Sequence, residues 1–125
     1  METNVAVVQQ FYHELASSNT AGAMNLLADD FRLIQAESLP FGGEYVGRQG
    51  VTNFFEKFFS FWKSFQSTDV TYLATEDKVV ATSTAIGTTQ DGRAITMPMV
   101  QVYTLQAGKL VETRPFYFDT AQLSR

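Results

Sequence analysis

"FFEKFFSFWKSF", residues 54–65, places six phenylalanines and a tryptophan in a dozen positions. On a helix these rings fall on two neighbouring stripes, because residues three and four apart share a face. The stripes are Phe54, Phe58, Phe61 and Phe65, and beside them Phe55, Phe59 and Trp62. So broad an apolar face does not fit a flat contact. The pattern therefore predicts a helix over residues 48–65 that lies in a concavity.

A strand predicted at residues 79–89 offers a matching surface. Its alternate positions carry small side chains, namely Ala81, Ser83, Ala85 and Gly87. Small side chains leave room above a sheet, and the rings of a covering helix could fill that room, as close packing requires. Two interpretations stay open. Either the rings are simply core, or the filling is incomplete and the rings line a deep apolar pocket closed by helices.

Helical patterns precede strand patterns along the chain. Apolar residues at helical spacing predict one helix from Thr3 to Ser17, and "AGAMNLLADD" predicts a second, short one. "FRLIQAE" alternates like a strand, with Phe31, Leu33 and Gln35 on one side, and "SLPFGGEYVGRQG" is predicted to be loop. After the aromatic helix, four strands are predicted at residues 67–76, 78–90, 93–106 and 109–119. This order favours an α+β fold, with about three N-terminal helices packed on an antiparallel sheet.

The composition excludes several classes of protein. The 125 residues suit one domain, 1–125, and the absence of cysteine removes disulfides, thiolate metal sites and cysteine nucleophiles. His13 is the only histidine, so we expect no metal site, and no "GxGxxG" or P-loop sequence predicts a cofactor. The net charge is −4 without a basic stripe, so we expect no nucleic-acid partner. No signal peptide or membrane-length apolar run is present, and a cytoplasmic location is predicted.

Three segments carry a resemblance to a known family. They are "AVVQQFYHELASSNTAGAMNLLADDFRL", "PFGGEYVGRQGVTNFF" and "QVYTLQAGKLVETRPFYFDT". Together they resemble the nuclear transport factor 2-like superfamily, and most closely its SnoaL-like polyketide cyclase and ketosteroid isomerase-like branch. The resemblance implies a cone-shaped fold, in which a strongly curved antiparallel sheet wraps around the helices and a pocket opens between them. It is specific for architecture and much less specific for chemistry.

The resemblance also locates the catalytic positions of ketosteroid isomerase on this chain. That enzyme uses an aspartate base together with a tyrosine and a protonated aspartic acid. The matching positions here are Gln35 for the base, Phe11 for the tyrosine and Val100 for the acid. Glutamine does not accept a proton at neutral pH, phenylalanine cannot donate a hydrogen bond and valine is inert. The isomerase mechanism therefore does not carry over.

Other residues are candidates for the site. The resemblance points Tyr117 and Asp119 into the pocket, and Glu37 shares the face of Gln35 if the first strand extends that far. Glu37, Asp119 and Tyr117 are thus the predicted catalytic residues, with a carboxylate as acid–base group and Tyr117 or Tyr12 as donor. The predicted ligand-binding residues are Phe11, Tyr12, Gln35, Phe58, Trp62, Val100 and Val102.

Two classes of function remain open at this stage. The first is an acid–base enzyme of isomerase, cyclase, dehydratase or hydrolase type, acting on a hydrophobic metabolite. The second is a non-catalytic sensor or carrier of a small hydrophobic molecule, in which Gln35 replaces a carboxylate because no proton is moved. A dimeric accessory domain, whose function is its interface, is a further alternative.

The other face of the predicted sheet holds few charges. The residues predicted to point away from the helices are Thr82, Thr84, Ile86, Thr88, Met97, Met99, Gln101, Tyr103, Phe116 and Phe118. A water-facing sheet normally carries more charge, and this mixture of apolar and hydroxyl side chains suits a self-complementary interface. Members of the superfamily commonly pair through this face. We therefore expect a two-fold homodimer.

Overall fold

A computed structural model describes residues 2–124, which form one sheet and four helices. The elements in chain order are α1 (Glu2–Ala16), α2 (Thr20–Met24), β1 (Leu27–Gln35), β2 (Gly43–Val46), α3 (Gly47–Phe61), β3 (Trp62–Ala74), β4 (Lys78–Thr89), β5 (Ala94–Gln106), β6 (Lys109–Tyr117) and α4 (Thr120–Leu123). The sheet order is β2-β1-β6-β5-β4-β3, and only β1 and β6 pair in parallel. The fold is α+β, as predicted.

The second helix is shorter than predicted. Asn19 caps its start, since the side-chain Oδ1 accepts a hydrogen bond from Gly22 N at 3.1 Å. The helix then ends at Met24, and the chain enters β1 at Leu27. Asp29 and Asp30 are consequently strand residues, in the irregular stretch of β1 between its paired positions Leu27 and Arg32. The predicted loop likewise contains the short strand β2.

The aromatic segment divides between a helix and a strand. Helix α3 ends at Phe61, so the predicted helical stripes stop there, and Trp62 and Phe65 belong to β3 instead. Both residues pair with β4, opposite Thr89 and Gly87. Pairing with β4 and burial of Trp62, which is 1% exposed, stabilise the strand more than a further turn of helix would. The rings thus come from two elements rather than one.

The small residues of β4 face the helices, as predicted, but the predicted facing of β5 was wrong. Tyr103 lies opposite Val79, and Met99 lies opposite Ser83. Directly paired residues share a face, so the odd-numbered residues of β5 point inward with those of β4. The residues moved to the inner face are Met97, Met99, Gln101 and Tyr103. The outer face of β5 carries Thr96, Pro98, Val100, Val102 and Thr104 instead.

The two long helices rest on different parts of the sheet. Helix α3 packs against β1, β2 and β3, whereas α1 packs against α2, β3 and β4. The separation leaves space between the helices above the inner face of the sheet. Beside this space lies a single apolar core that includes Val8, Phe41, Trp62, Tyr103 and Leu110. None of the helices within residues 2–124 is long and apolar enough to cross a membrane.

Candidate functional site

A cavity of about 990 Å³ lies between α1, α3 and the inner face of the sheet. Rings dominate its wall, and they come from α1, β1, α3 and β3: Phe11, Phe31, Phe54, Phe55, Phe58 and Phe65. Aliphatic residues such as Leu27, Leu33, Val51 and Val70 add to the apolar lining. A cavity of this size and character is typical of sites for small organic molecules. None of the small residues of β4 lines this cavity, whose sheet side comes from β1, β3, β5 and β6.

Charged side chains reach this cavity only at its rim. Among the described residues that line it, Glu56 and His13 are the only acidic or imidazole groups, and both are exposed. Lysine and arginine are absent from that lining set. The exposed ring of Phe59 lies at the same rim and stacks against Phe55, with ring centroids 6.2 Å apart. The described part of the chain therefore places no fixed charge in the interior of the cavity.

The floor of the cavity is a set of cross-strand rows. Thr113 on β6 lies between Leu33 on β1 and Tyr103 on β5. In the next rows, Pro115 lies opposite Gln101, and Tyr117 lies opposite Met99. Gln35 follows Leu33 by two residues, so it points to the same face one step along β1. Polar groups of three adjacent strands thus meet on one small area.

Three buried polar atoms of this wall have no hydrogen-bond partner. They are Tyr12 Oη, Gln35 Oε1 and Thr113 Oγ1, and all three residues line the cavity. A buried polar group without a partner destabilises a fold, so such atoms are few in native proteins and usually have a reason. Two further atoms in the described residues share this property, Trp62 Nε1 and Ser83 Oγ, and neither residue lines the cavity.

The tyrosines of the site stay neutral well above neutral pH. Burial raises the pKa of Tyr12 to about 12, and the neighbouring Tyr103 hydroxyl opposes part of that effect. Burial also raises the pKa of Tyr103, whose hydroxyl donates to Gln101 Oε1 at 3.0 Å. The pKa of Tyr117 is raised by burial too, and the adjacent Gln35 amide partly offsets that effect. The hydroxyls of Tyr12 and Tyr117 can therefore serve as hydrogen-bond donors but not as bases, whereas Tyr103 already donates its proton to Gln101.

Five of the predicted site residues line the cavity: Phe11, Tyr12, Gln35, Phe58 and Tyr117. The two predicted carboxylates do not. Glu37 is exposed in the turn after β1, because the strand ends at Gln35 and does not carry the alternation that far. Asp119 lies after β6 at the start of α4, where its Oδ2 accepts from Gln122 Nε2 at 3.0 Å. Neither residue reaches the cavity wall.

Three predicted ligand-binding residues are likewise placed elsewhere. Trp62 belongs to the core beneath the cavity, in contact with Phe58 and Phe65 rather than with the open space. Val100 and Val102 face outward, for the reason given by the β4–β5 pairing. Their neighbours Gln101 and Tyr103 line the cavity instead, and sequence reasoning missed them because it placed β5 one residue out of phase. Thr113, which the resemblance points inward together with Tyr117, also lines the cavity.

The residues that the structure describes contain no group of three or more His, Cys, Asp or Glu side chains able to hold a metal ion. The buried polar groups that line the cavity are thus hydroxyls and amides. Such an arrangement can orient a bound molecule by hydrogen bonds. It offers no buried carboxylate for proton abstraction.

Comparisons with solved structures show the same architecture in other proteins. A nuclear transport factor 2-like protein of unknown function from Burkholderia pseudomallei superposes with a TM-score of 0.90 at 22% identity, covering 98% of this chain and 95% of that one. TerC, co-crystallised with polyporic acid, gives a TM-score of 0.88 at 19% identity, covering 96% and 94%. A candidate polyketide cyclase from Xanthomonas campestris pv. campestris gives 0.83 at 16% identity, covering 98% and 96%.

These likenesses establish the cone-shaped fold and not a shared activity, since all three identities are low. A comparison with curated protein sequences gave no match. The family assignment comes from the sequence profile of the SnoaL-like domain, which matches residues 8–113 and so covers most of the chain. This chain belongs to the SnoaL-like domain family of the nuclear transport factor 2-like superfamily.

Proposed function

We propose that the protein binds a hydrophobic small molecule in the cavity between α1 and α3, without carboxylate-mediated catalysis. The observation that carries this proposal is a cavity of about 990 Å³ whose wall is largely aromatic yet contains buried polar atoms without partners. Open apolar space and unpartnered polar atoms each reduce the stability of a fold. A ligand that fills the space and contacts the polar atoms would remove both disadvantages.

The positions of the carboxylates favour a sensor or carrier over an acid–base enzyme. Glu37 and Asp119 lie outside the cavity wall, so a bound molecule could not exchange a proton with either of them. Glu56 is exposed at the rim rather than on the floor of the cavity. Gln35 occupies the floor, where it can hold a ligand but cannot accept its proton.

The structural neighbours support a cyclic organic ligand. TerC was crystallised with polyporic acid, and another neighbour is described as a candidate polyketide cyclase. Cyclic, largely apolar molecules suit a wall of phenylalanine rings, because aromatic faces and edges pack well against one another. We therefore include cyclic and aromatic molecules in the proposed ligand class.

The test is binding of Nile red, a neutral dye that fluoresces in apolar surroundings. Leu15→Trp places a larger side chain at the cavity wall, whereas Leu73→Trp makes the same change on β3 at a position that is 68% exposed and outside the cavity. We expect saturable dye binding to the unmodified protein and to Leu73→Trp, and weaker binding to Leu15→Trp. Absence of saturable binding to the unmodified protein would contradict the proposed function.

We also propose that two copies pair through the outer face of the sheet. After correction of β5, the middle of this face carries Val80, Thr82, Val100, Val102 and Phe116. Arg114 lies opposite Val102 on this face, and beyond it toward one end Arg32 contacts Glu112 at 2.6 Å, as expected for the polar rim of an interface. In the accessory-domain alternative, this interface would be the whole function and the cavity would bind nothing. A cytoplasmic location, predicted from the sequence, remains part of the proposal.

A further inference from the structure

The polar atoms of the cavity floor differ in what they require of a ligand. Gln35 is 3% exposed and Thr113 is 3% exposed, so bulk water does not satisfy their side chains. The carbonyl oxygen Gln35 Oε1 accepts hydrogen bonds and cannot donate them, whereas the Thr113 hydroxyl can do both. A ligand that satisfies Gln35 Oε1 must therefore bring a hydrogen-bond donor.

The surroundings exclude a charged donor or a charged acceptor at this point. Every described group on the floor is neutral, and the described lining includes no lysine, no arginine and no buried carboxylate. Burying an ion without a partner costs far more free energy than burying a neutral hydroxyl. An ammonium group would lack a counter-ion here, and so would a carboxylate or a phenolate.

A hydroxyl group is the simplest neutral group that suits all of these atoms. It donates to Gln35 Oε1 and can still accept from the Thr113 hydroxyl, which lies one residue pair away on the neighbouring strand. It also suits the Gln35 amide if that group turns over and presents its NH₂, because a hydroxyl accepts as well as donates. With the amide in the orientation of the structure, a ketone or an ether, which only accepts, would leave Oε1 without a partner.

Resting on the proposed function, we propose that the cavity is selective for a cyclic, hydrophobic molecule that bears a protonated hydroxyl group, bound by Gln35 and Thr113. The phenylalanine wall takes the ring system, and the floor takes the hydroxyl. Tyr12, whose Oη is also unpartnered, faces the same space from α1 and suits a second polar group of the ligand. The ligand class is thus that of phenols and cyclic alcohols.

Three naphthalene derivatives of similar size test this selectivity by competition with Nile red. Naphthalene has the ring system alone, 2-naphthol adds a hydroxyl and 2-naphthoate adds a carboxylate. A hydrogen bond to an otherwise unsatisfied buried group is worth about tenfold in affinity. We therefore expect 2-naphthol to bind about tenfold more tightly than naphthalene, and 2-naphthoate to bind more weakly than 2-naphthol.

Variants then assign the preference to the floor. Gln35→Met keeps the length of the side chain but removes the amide, so the advantage of 2-naphthol over naphthalene should disappear while naphthalene affinity is kept. Thr113→Val, which is close in shape, should reduce the same advantage. Gln106→Leu removes an exposed amide at the end of β5, outside the cavity, and should leave all three affinities unchanged.

The outcomes separate this inference from the function on which it rests. Equal binding of naphthalene and 2-naphthol to the unmodified protein would overturn the inference and leave hydrophobic binding intact. Tightest binding of 2-naphthoate would overturn it as well, because the floor would then accept an anion. Failure of Nile red and all three probes to bind would contradict the proposed function itself. Each of these results requires only the unmodified protein, so variants that fail to fold do not block the test.

Discussion

The indole of Trp62 lies directly above Gly87: a Cβ added to that glycine would approach two indole carbons to 2.7 Å. The same Cβ would lie 2.5 Å from the backbone oxygen of Ser64. Real Cβ atoms do not come that close to other heavy atoms, so the position admits only glycine with the neighbouring strand in place. The absence of a side chain on β4 thus makes room for the largest residue of the core.

Gly87→Ala should consequently destabilise the protein. The added methyl group meets backbone as well as the indole, so the strands must separate locally, and overpacking of this kind costs about 1–3 kcal/mol. The free energy of unfolding in urea measures the effect. Ser83→Ala is the matched control, because it lies on the same face of β4 and removes an unpartnered hydroxyl without adding atoms. A stability of Gly87→Ala equal to that of the unmodified protein would contradict the observed packing.

Removal of the unpartnered hydroxyl of Thr113 should not destabilise the empty protein. Thr113→Val keeps the shape of the side chain and removes a buried oxygen that has no partner. We expect an unchanged free energy of unfolding or an increase of up to about 1 kcal/mol. Weaker binding of 2-naphthol should accompany this gain. A loss of stability above about 1 kcal/mol would indicate that the hydroxyl does have a partner within the protein.

The stability of the protein should fall at alkaline pH, partly because of Tyr12. Its pKa is raised from 10.0 to about 12 by burial, so the folded state holds the phenolic proton more tightly than the unfolded state. Between these two pH values only the unfolded chain ionises this group, and the free energy of unfolding decreases as the pH rises. The contribution is fully present below pH 10, and its loss amounts to roughly 2–3 kcal/mol.

Tyr12→Phe isolates that contribution. The variant should show a shallower decrease of the unfolding free energy across the same alkaline range, while Tyr103 and Tyr117 continue to contribute because their pKa values are raised too. Chemical denaturation at a series of pH values gives the slopes. Identical slopes for both proteins would show that the hydroxyl of Tyr12 is in contact with water in the folded state.

The two carboxylates outside the cavity should not affect ligand binding. Glu37→Gln and Asp119→Asn remove a charge while keeping the shape of the side chain, and neither residue lines the cavity. We expect Nile red and 2-naphthol affinities within about twofold of the unmodified values, since exposed charges act weakly at a distance. Titrations at low and high salt provide the measurement. A tenfold change of either affinity in one of these variants would show that its carboxylate does act on the bound ligand.

Pairing through the outer face predicts a specific disruption. Val100→Glu places a charge in the middle of that face, where pairing would remove it from water. We expect a dimer for the unmodified protein at micromolar concentration and a monomer for this variant in sedimentation velocity. Ala6→Glu, on the exposed side of α1, is the control and should remain dimeric. A monomeric unmodified protein would exclude the proposed pairing.

The order of the elements was predictable from local patterns, because helical spacing in α1 and alternation in β4 are strong signals. The end of helix α3 at Phe61, with strand β3 directly after it, was not predictable. The phenylalanines fit helical spacing through residue 65. Trp62 joins the sheet because its indole fits the space above Gly87, a residue that is remote in sequence but lies on the paired strand β4. Local periodicity cannot show which of two compatible structures a distant partner will stabilise.

The composition of the site was predictable only in part. Gln35 could be placed because alternation along β1 starts from a clear anchor, Phe31, whereas the inward position of Tyr117 was implied by the family resemblance. The phase of β5 depends instead on the length of the turn between β4 and β5, and a shift of one residue moves every side chain to the other face. Because of that shift, Val100 and Val102 were predicted to face inward, whereas Gln101 and Tyr103 do so in the structure. The predicted outer surface was wrong for β5 for the same reason.

The crystal structure of the protein with 2-naphthol tests the central claim most directly. The account predicts the ring system between α1 and α3 against the phenylalanine wall, with its hydroxyl oxygen at hydrogen-bonding distance from the Gln35 side chain. The hydroxyl would lie on the floor rather than at the rim beside His13. A ring bound with its hydroxyl toward the rim, or a cavity that contains only water at saturating 2-naphthol, would contradict the account.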